Sequence, residues 1–362
     1  MVVNIGVDLH KTQFTVFVRD SKNQFAEYKT DETGYSKFLR RVKVLQNKGA
    51  LVRVGVESTG NARFFKGQME KAGVEVVVIN TLKFKVVNES VKKTDRHDAA
   101  TIAEFLEKDM LPEAKLCSEK SEQLRRLIKV RTTLVRTIVT VKNQIHALLT
   151  GMGMKDYRAS LQSKRGRQKI LDTLNRTENG LVVQPRFETI KRLDENVKMI
   201  EQELATLTED DKMVRQLLTI PGCGPITAWT IRAFTDDINR FSSAKKYSAY
   251  AGLVPWVQNS NQTVHHGRIT KRGPEELRTA LVQLVLGMRR CRQTLSWRLM
   301  ERYSVMKSNK GSGKSIIATA RKVSKIVWCM LVAGEDFNEN LMVDKKLKAK
   351  ADAMRTSAQK IA

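Results

Sequence analysis

Residues 2–30 read "VVNIGVDLHKTQFTVFVRDSKNQFAEYKT". Three β-branched and aromatic runs, "VVNIGVDL", "QFTVFVRD" and "QFAEYKT", are divided by the turn-like groups "HKT" and "SKN". They predict three successive strands. Two more such runs, "LVRVGVEST" (51–59) and "VEVVVINT" (74–81), follow segments of helical spacing, "GYSKFLRRVKVLQNKG" (34–49) and "NARFFKGQMEKAG" (61–73). The helix "RHDAATIAEFLEK" closes the series. Three strands, helix, strand, helix, strand, helix is the element order of a ribonuclease-H-like α/β domain.

Asp8 closes the first of these strands in "IGVDLHK", and Glu57 closes the fourth in "VGVESTG". In a ribonuclease-H-like sheet those strands are neighbours, so both acids stand at one edge. A carboxylate ending an apolar strand is costly to bury unless it is paired or holds a metal. Read singly, each is also an ordinary exposed turn residue. "VKKTDRHDAA" (91–100) adds Asp95 and Asp98 at the mouth of the last helix. There Thr94 can cap, and acidic residues suit the positive end of the helix dipole. The i,i+3 spacing also puts both carboxylates on one face. Four carboxylates converging from distant positions repel one another, and a divalent cation relieves the repulsion. All-oxygen ligation favours Mg²⁺ or Mn²⁺ over zinc. His97 should point to another face, as a phosphate or solvent contact.

The 362 residues exceed one ordinary core and predict two or three domains. Lys and Arg number 65 against 38 Asp and Glu, a net charge of +27. Polyanions are the expected partners, nucleic acid before membrane, since the basic residues are spread along the chain. No apolar run reaches the roughly 18 residues of a membrane span, and Met1 leads straight into a strand. Cys117, Cys223, Cys291 and Cys329 form no CxxC pair, which fits a reducing cytoplasm and excludes a zinc ribbon.

From Glu119 to about Gly151 a heptad seam runs through Leu124, Leu127, Arg131, Leu134, Ile138, Val141, Ile145 and Leu148. A second runs through Ile190, Leu193, Val197, Ile200, Leu204 and Leu207. The pair could form a hairpin within one chain or a coiled coil between chains. The basic "MKDYRASLQSKRGRQK" between them reads as a loop suited to phosphate. "IPGCGPITA" (220–228) has the form of a helix-hairpin-helix, with Gly222 and Gly224 letting backbone amides approach a phosphate. A plain turn between packed helices reads the same way. Arg268, Lys271 and Arg272 in "GRITKRGPEELR" suit backbone contact, or a solvated basic turn. "KSNKGSGKS" (307–315) has Ser308 where a phosphate loop needs glycine, and reads as a flexible basic loop. Nothing local marks Ser260 as a nucleophile, although His265 and His266 lie near it.

Taken together, these segments resemble the DEDD transposases of bacterial insertion sequences (the IS-one-ten type), relatives of the Piv invertases described as bridge-RNA-guided recombinases. "IGVDLHK", "GVESTG" and "KKTDRHDA" fit the family's acidic motifs; "IPGCGPITA", "FSSAKKYSAYAGLVP" and "GRITKRG" fit its C-terminal segment in order. The resemblance implies a RuvC-like DEDD domain at 1–112, a helical coiled-coil region at 113–212, a C-terminal helical transposase domain at 213–343 and a charged tail at 344–362. It puts the metal on Asp8, Glu57, Asp95 and Asp98 and the catalytic serine at Ser260, five residues after Pro255. Asn261, Gln262 and Thr263 stand where relatives often have glycine, so Ser242, Ser243 and Ser248 remain weaker alternatives. The implied reaction is phosphoryl transfer on double-stranded DNA, by a homo-oligomer, with a guide RNA choosing targets. A junction-resolving nuclease and a non-catalytic nucleic-acid scaffold are the rival readings.

Overall fold

Val3, Ile5, Val7 and Leu9 alternate with Asn4, Gly6 and Asp8 along β1 (Val2–Leu9), and the apolar set is buried on one face of a five-stranded sheet. The computed structural model describes residues 1–20, 22–81, 83–84, 94–154, 160–175, 180–260 and 263–342. β1 lies between β2 (Gln13–Arg19), antiparallel, and β4 (Leu51–Glu57), parallel. With β3 (Gln24–Lys29) and β5 (Glu75–Ile79) the order is β3-β2-β1-β4-β5. This mixed sheet is consistent with the ribonuclease-H-like order expected from the sequence.

The period of two sorts the faces. Val7, Phe14, Val16, Val54 and Val56 pack beneath α1 (Glu32–Asn47) and α2 (Ala62–Glu70), which contribute Tyr35, Phe38, Phe65 and Met69. The other face receives α3 (Asp95–Glu107). Two glycines admit it. Gly6 and Gly55 are register partners on β1 and β4. A Cβ on Gly6 would stand 1.9 Å from the Ala99 carbonyl oxygen, and one on Gly55 2.8 Å from Ile102 Cγ2. Each glycine precedes an acid by two residues, so Gly6 and Asp8, like Gly55 and Glu57, share the face on which α3 lies.

This first compact unit ends at Cys117, and a second begins at Ser118. In the second, α4 (Glu119–Gly151) and α6 (Gly180–Leu207) run antiparallel. Arg131 Nε donates to Glu201 Oε1 at 2.8 Å, while Ile145 and Leu149 share a cluster with Val183 and Phe187. The two apolar seams therefore face each other within the chain. The insert between them, expected as a loop, contains α5 (Lys164–Leu174). Ile170 and Leu174, four apart, bury against the helical pair, and Ser163 caps the helix by accepting from Gly166 N at 2.9 Å. Residues 155–159 of that insert lie outside the described residues.

The remainder comprises α7 (Lys212–Leu218), α8 (Pro225–Thr235), α9 (Ala244–Tyr250), the hairpin β6 (Pro255–Ser260) and β7 (Thr263–Ile269), α10 (Glu275–Arg290), α11 (Arg298–Lys310) and α12 (Ser312–Ala333). Their core, with Trp229, Tyr247, Leu281 and Trp297, also takes in Leu124, Ile128 and Leu204. "KSNKGSGKS" is no flexible loop: α11 passes into α12 through Gly311 at φ +79°, and Ser315 Oγ donates to the Gly311 carbonyl at 2.9 Å. The segment that carries Ser260 is the β6–β7 hairpin. The charged tail from 344 lies outside the described residues.

Candidate metal centre and nucleic-acid interface

Asp8, one residue before the end of β1, is only 8% exposed. Thr94 caps α3 by accepting from His97 N at 3.2 Å, so Asp95 and Asp98 occupy the first turn of the helix that Gly6 admits. His10 lies between the two elements. Its Nε2 stands 3.1 Å from Asp8 Oδ2 and 3.4 Å from Asp95 Oδ2. Among the described residues, Asp8, His10 and Asp95 form the group whose donor atoms lie within 4.8 Å of one another. Burial raises the Asp8 pKa above the usual carboxylate value; His10 opposes this, and the charges of Asp95 and Asp98 reinforce it.

Glu57 ends β4 one residue past the Val7–Val56 pair, beside Asp8 in register, but adds no atom to the three-residue group. The exits of the two strands are tied together, since Asn61 Nδ2 donates to the His10 carbonyl at 3.0 Å. Asp98 reaches Asp8 through its charge alone, and His97 is exposed. The expected all-oxygen set thus gains a nitrogen donor. That donor set fits a divalent cation, and the imidazole shifts preference from Mg²⁺ towards Mn²⁺ and later metals. His10 was legible in "DLH": two residues past Asp8, it continues the same face.

Ser260 is the last residue of β6 and pairs with Thr263 across the hairpin end, with Asn261 and Gln262 between them outside the described residues. Two of the alternative serines have structural employment. Ser248 is fully buried and shares a 2.7 Å hydrogen bond with Ser324, while Ser243 caps α9 by accepting from Lys246 N at 3.3 Å. Ser242 is exposed.

"IPGCGPITA" forms a tight turn between α7 and α8. Gly222 has φ +85°, and a Cβ there would lie 2.4 Å from the Gly287 carbonyl carbon of α10, so close packing requires this glycine. Gly224 is the N-cap of α8 and opens to solvent. Arg268 lies on β7; Lys271, at φ +52°, and Arg272 follow on the turn to α10. Arg268 and Lys271 line one groove, and Arg272 stands outside its lining.

Two family models match in order, a DEDD transposase model of IS110 type at residues 5–154 and one described as "Transposase IS116/IS110/IS902 family" at 214–300. Together they span well over half of the chain, and the first contains Asp8, His10, Glu57, Asp95 and Asp98. The chain belongs to the IS110 transposase family. The IS1328 transposase of Yersinia enterocolitica is 28% identical over 93% of this chain and 99% of its own. The IS1111A transposase of Coxiella burnetii is 26% identical, covering 88% of this chain and 89% of its own. The pilin gene-inverting protein of Moraxella bovis is 22% identical over 93% and 98%. Ser260, Gly222 and the basic turn of this transposase fall within the second matched segment. Among its described residues no helix is long and apolar enough to cross a membrane.

Proposed function

We propose that this transposase cuts and rejoins double-stranded DNA at the ends of an insertion sequence, with a divalent cation at the acidic centre and Ser260 as nucleophile. The carrying observation is that Asp8 and His10, at the end of β1, converge on one point with Asp95 at the start of α3. Asp8, Asp95 and His10 would hold Mg²⁺ or Mn²⁺, with Glu57 and Asp98 at its border. A divalent cation held there would supply positive charge against a scissile phosphate and would lower the pKa of a nearby hydroxyl. Ser260 gives its proton to a base and bonds to phosphorus, and the displaced sugar oxygen leaves with a proton. The phosphoserine link keeps the phosphodiester available for rejoining to another end.

The likeness to a gene-inverting protein favours strand exchange over hydrolysis. In this reading "IPGCGPITA" acts as a helix-hairpin-helix through the amides at Gly222 and Gly224. Arg268, Lys271 and Arg272 contact the nucleic-acid backbone without reading its sequence. The helical pair serves as a coiled-coil element of a homo-oligomer, whose acidic unit and serine unit come from different subunits. A guide RNA chooses targets by base pairing; the net charge of +27 supports so large a polyanionic cargo.

Incubation with cognate DNA and Mn²⁺, followed by denaturing gel analysis, tests the chemistry. Wild type should give a covalent protein–DNA adduct that Ser260→Ala abolishes, and Asp8→Asn should lose strand exchange while still binding DNA. Normal cutting by Ser260→Ala without an adduct would leave a water-using nuclease. Sequencing the nucleic acid that co-purifies tests the guide; its claim fails if no discrete RNA is found.

A further inference from the structure

A groove of ≈ 1120 Å³ opens in the second unit between the β6–β7 hairpin, the turn after it and α12. Six cations line it: Arg268, Lys271, Lys314, Arg321, Lys322 and Lys325. No carboxylate is part of this lining, and none of the six makes an ion pair among the described residues. Arg321 Nε is buried without a hydrogen-bond partner. Burial, and then the charges of Arg302 and Lys325, depress the Lys322 pKa. So crowded a set of like charges is relieved by a polyanion. The floor is apolar, formed by Leu253, Ile269 and Ile317. At the rim Trp256 is 46% exposed and packs so closely on Gly267 that a Cβ there would sit 2.0 Å from the ring. An exposed indole pressed onto backbone offers its free face for stacking.

We propose that this groove seats a single strand of nucleic acid, its phosphates on the six cations, its sugars and bases against the apolar floor and Trp256. The volume slightly exceeds that of pockets holding one drug-sized molecule, roughly 300–1,000 Å³, which suits a few nucleotides of one strand. A duplex would hide its bases from the apolar floor. The seat adjoins the base of the hairpin that ends in Ser260. Five strand residues of about 3.3 Å each separate Pro255 from that serine, so the held strand lies within ~16 Å of the proposed nucleophile. The inference rests on the nucleic-acid reading of the chain and is independent of the metal and the serine.

Fluorescence anisotropy over a salt series tests it, with one labelled 15-nucleotide sequence as single-stranded DNA, single-stranded RNA and duplex. The variant Lys314→Ala/Arg321→Ala/Lys325→Ala removes three groove cations. The exposed α1 variant Lys37→Ala/Arg40→Ala/Lys43→Ala removes as much charge elsewhere. At about 0.7 per lost contact for single strands, the groove variant should flatten the slope of log K against log salt by about 2, with binding at 150 mM weaker on the order of 50-fold. The α1 variant and the duplex should change far less. Trp256→Ala should weaken single-strand binding about tenfold at unchanged slope. Whichever single strand loses more, DNA or RNA, names the occupant. Should the triple variant melt early by circular dichroism, the exposed pair Lys314→Ala/Lys322→Ala repeats the test with a slope change of about 1.4. Equal losses in the groove and α1 variants, or an equal loss for the duplex, overturn the proposal. The rise in thermal midpoint that Mn²⁺ gives wild type should persist in the groove variant, which separates a failed groove from a failed metal site.

Discussion

Asp8 is a charge held where water scarcely reaches, and its neighbours make the position worse before a cation makes it better. Its burial raises its pKa, and two further aspartates add to the strain. Asp8→Asn should therefore raise the thermal midpoint in EDTA, at ~2–4 °C for each kcal/mol relieved, and remove the upward shift that Mn²⁺ gives wild type. A lower midpoint in EDTA would contradict this account of the site. His10 touches both Asp8 and Asp95, so His10→Ala should cost about tenfold in Mn²⁺ affinity by calorimetry and less in Mg²⁺ affinity. Asp8 and Glu57 were legible because a carboxylate at an apolar strand end is conspicuous in one dimension. His10 was legible too, since the strand period aims it at the same face, but an all-oxygen expectation looked past an imidazole.

At the scale of elements, the distance from sheet to helix decides whether the acids meet. Gly6→Val should cost at least about 3 kcal/mol by urea denaturation and abolish metal-induced stabilisation, because its side chain must displace α3 at Ala99. Gly67 in α2 has nothing within 4 Å of a Cβ, and Gly67→Ala should stabilise by about 0.5–1 kcal/mol. Equal effects at the two glycines would remove the spacing argument. The long helix over 119–151 was legible to its ends, since its apolar period and Gly151 are local signals. The start of α6 at Gly180 was missed because Pro185 stands inside that helix, where proline normally argues against one. The hairpin carrying Ser260 was missed because its residues are polar and its pairing is made across strands.

For the second unit as a whole, Asp211 ties three segments together. Its carboxylate meets Arg232 Nε at 2.8 Å and Lys120 Nζ at 3.0 Å, and it accepts from Met213 N at 3.1 Å to cap α7. Arg232 Nη1 also donates to the buried Ser121 Oγ at 2.9 Å, joining the start of α4 to α8. Burial works against the ionised Asp211, yet Arg232 and Lys120 outweigh it and hold the carboxyl below its usual range. A depressed folded pKa gives stability that is complete above the unfolded value of about 3.9 and disappears as pH falls through the lower folded value. Asp211→Ala should cost about 3–5 kcal/mol at neutral pH. Asp211→Asn should flatten the loss of stability below about pH 4, measured by urea midpoints across that range.

The sequence alone determined the order of strands and helices in the first unit and the strand-end placement of Asp8 and Glu57. It also determined the capped turn bearing Asp95 and Asp98. Those features are written in local periodicity, which states the direction each side chain faces. Only the tertiary structure decided that His10 bridges Asp8 and Asp95 while Glu57 stands beside them, and that cations from 268 to 325 gather over one apolar floor. Convergence depends on packing distances, such as the close approach at Gly6, and no one-dimensional pattern records a distance between segments that meet only after folding.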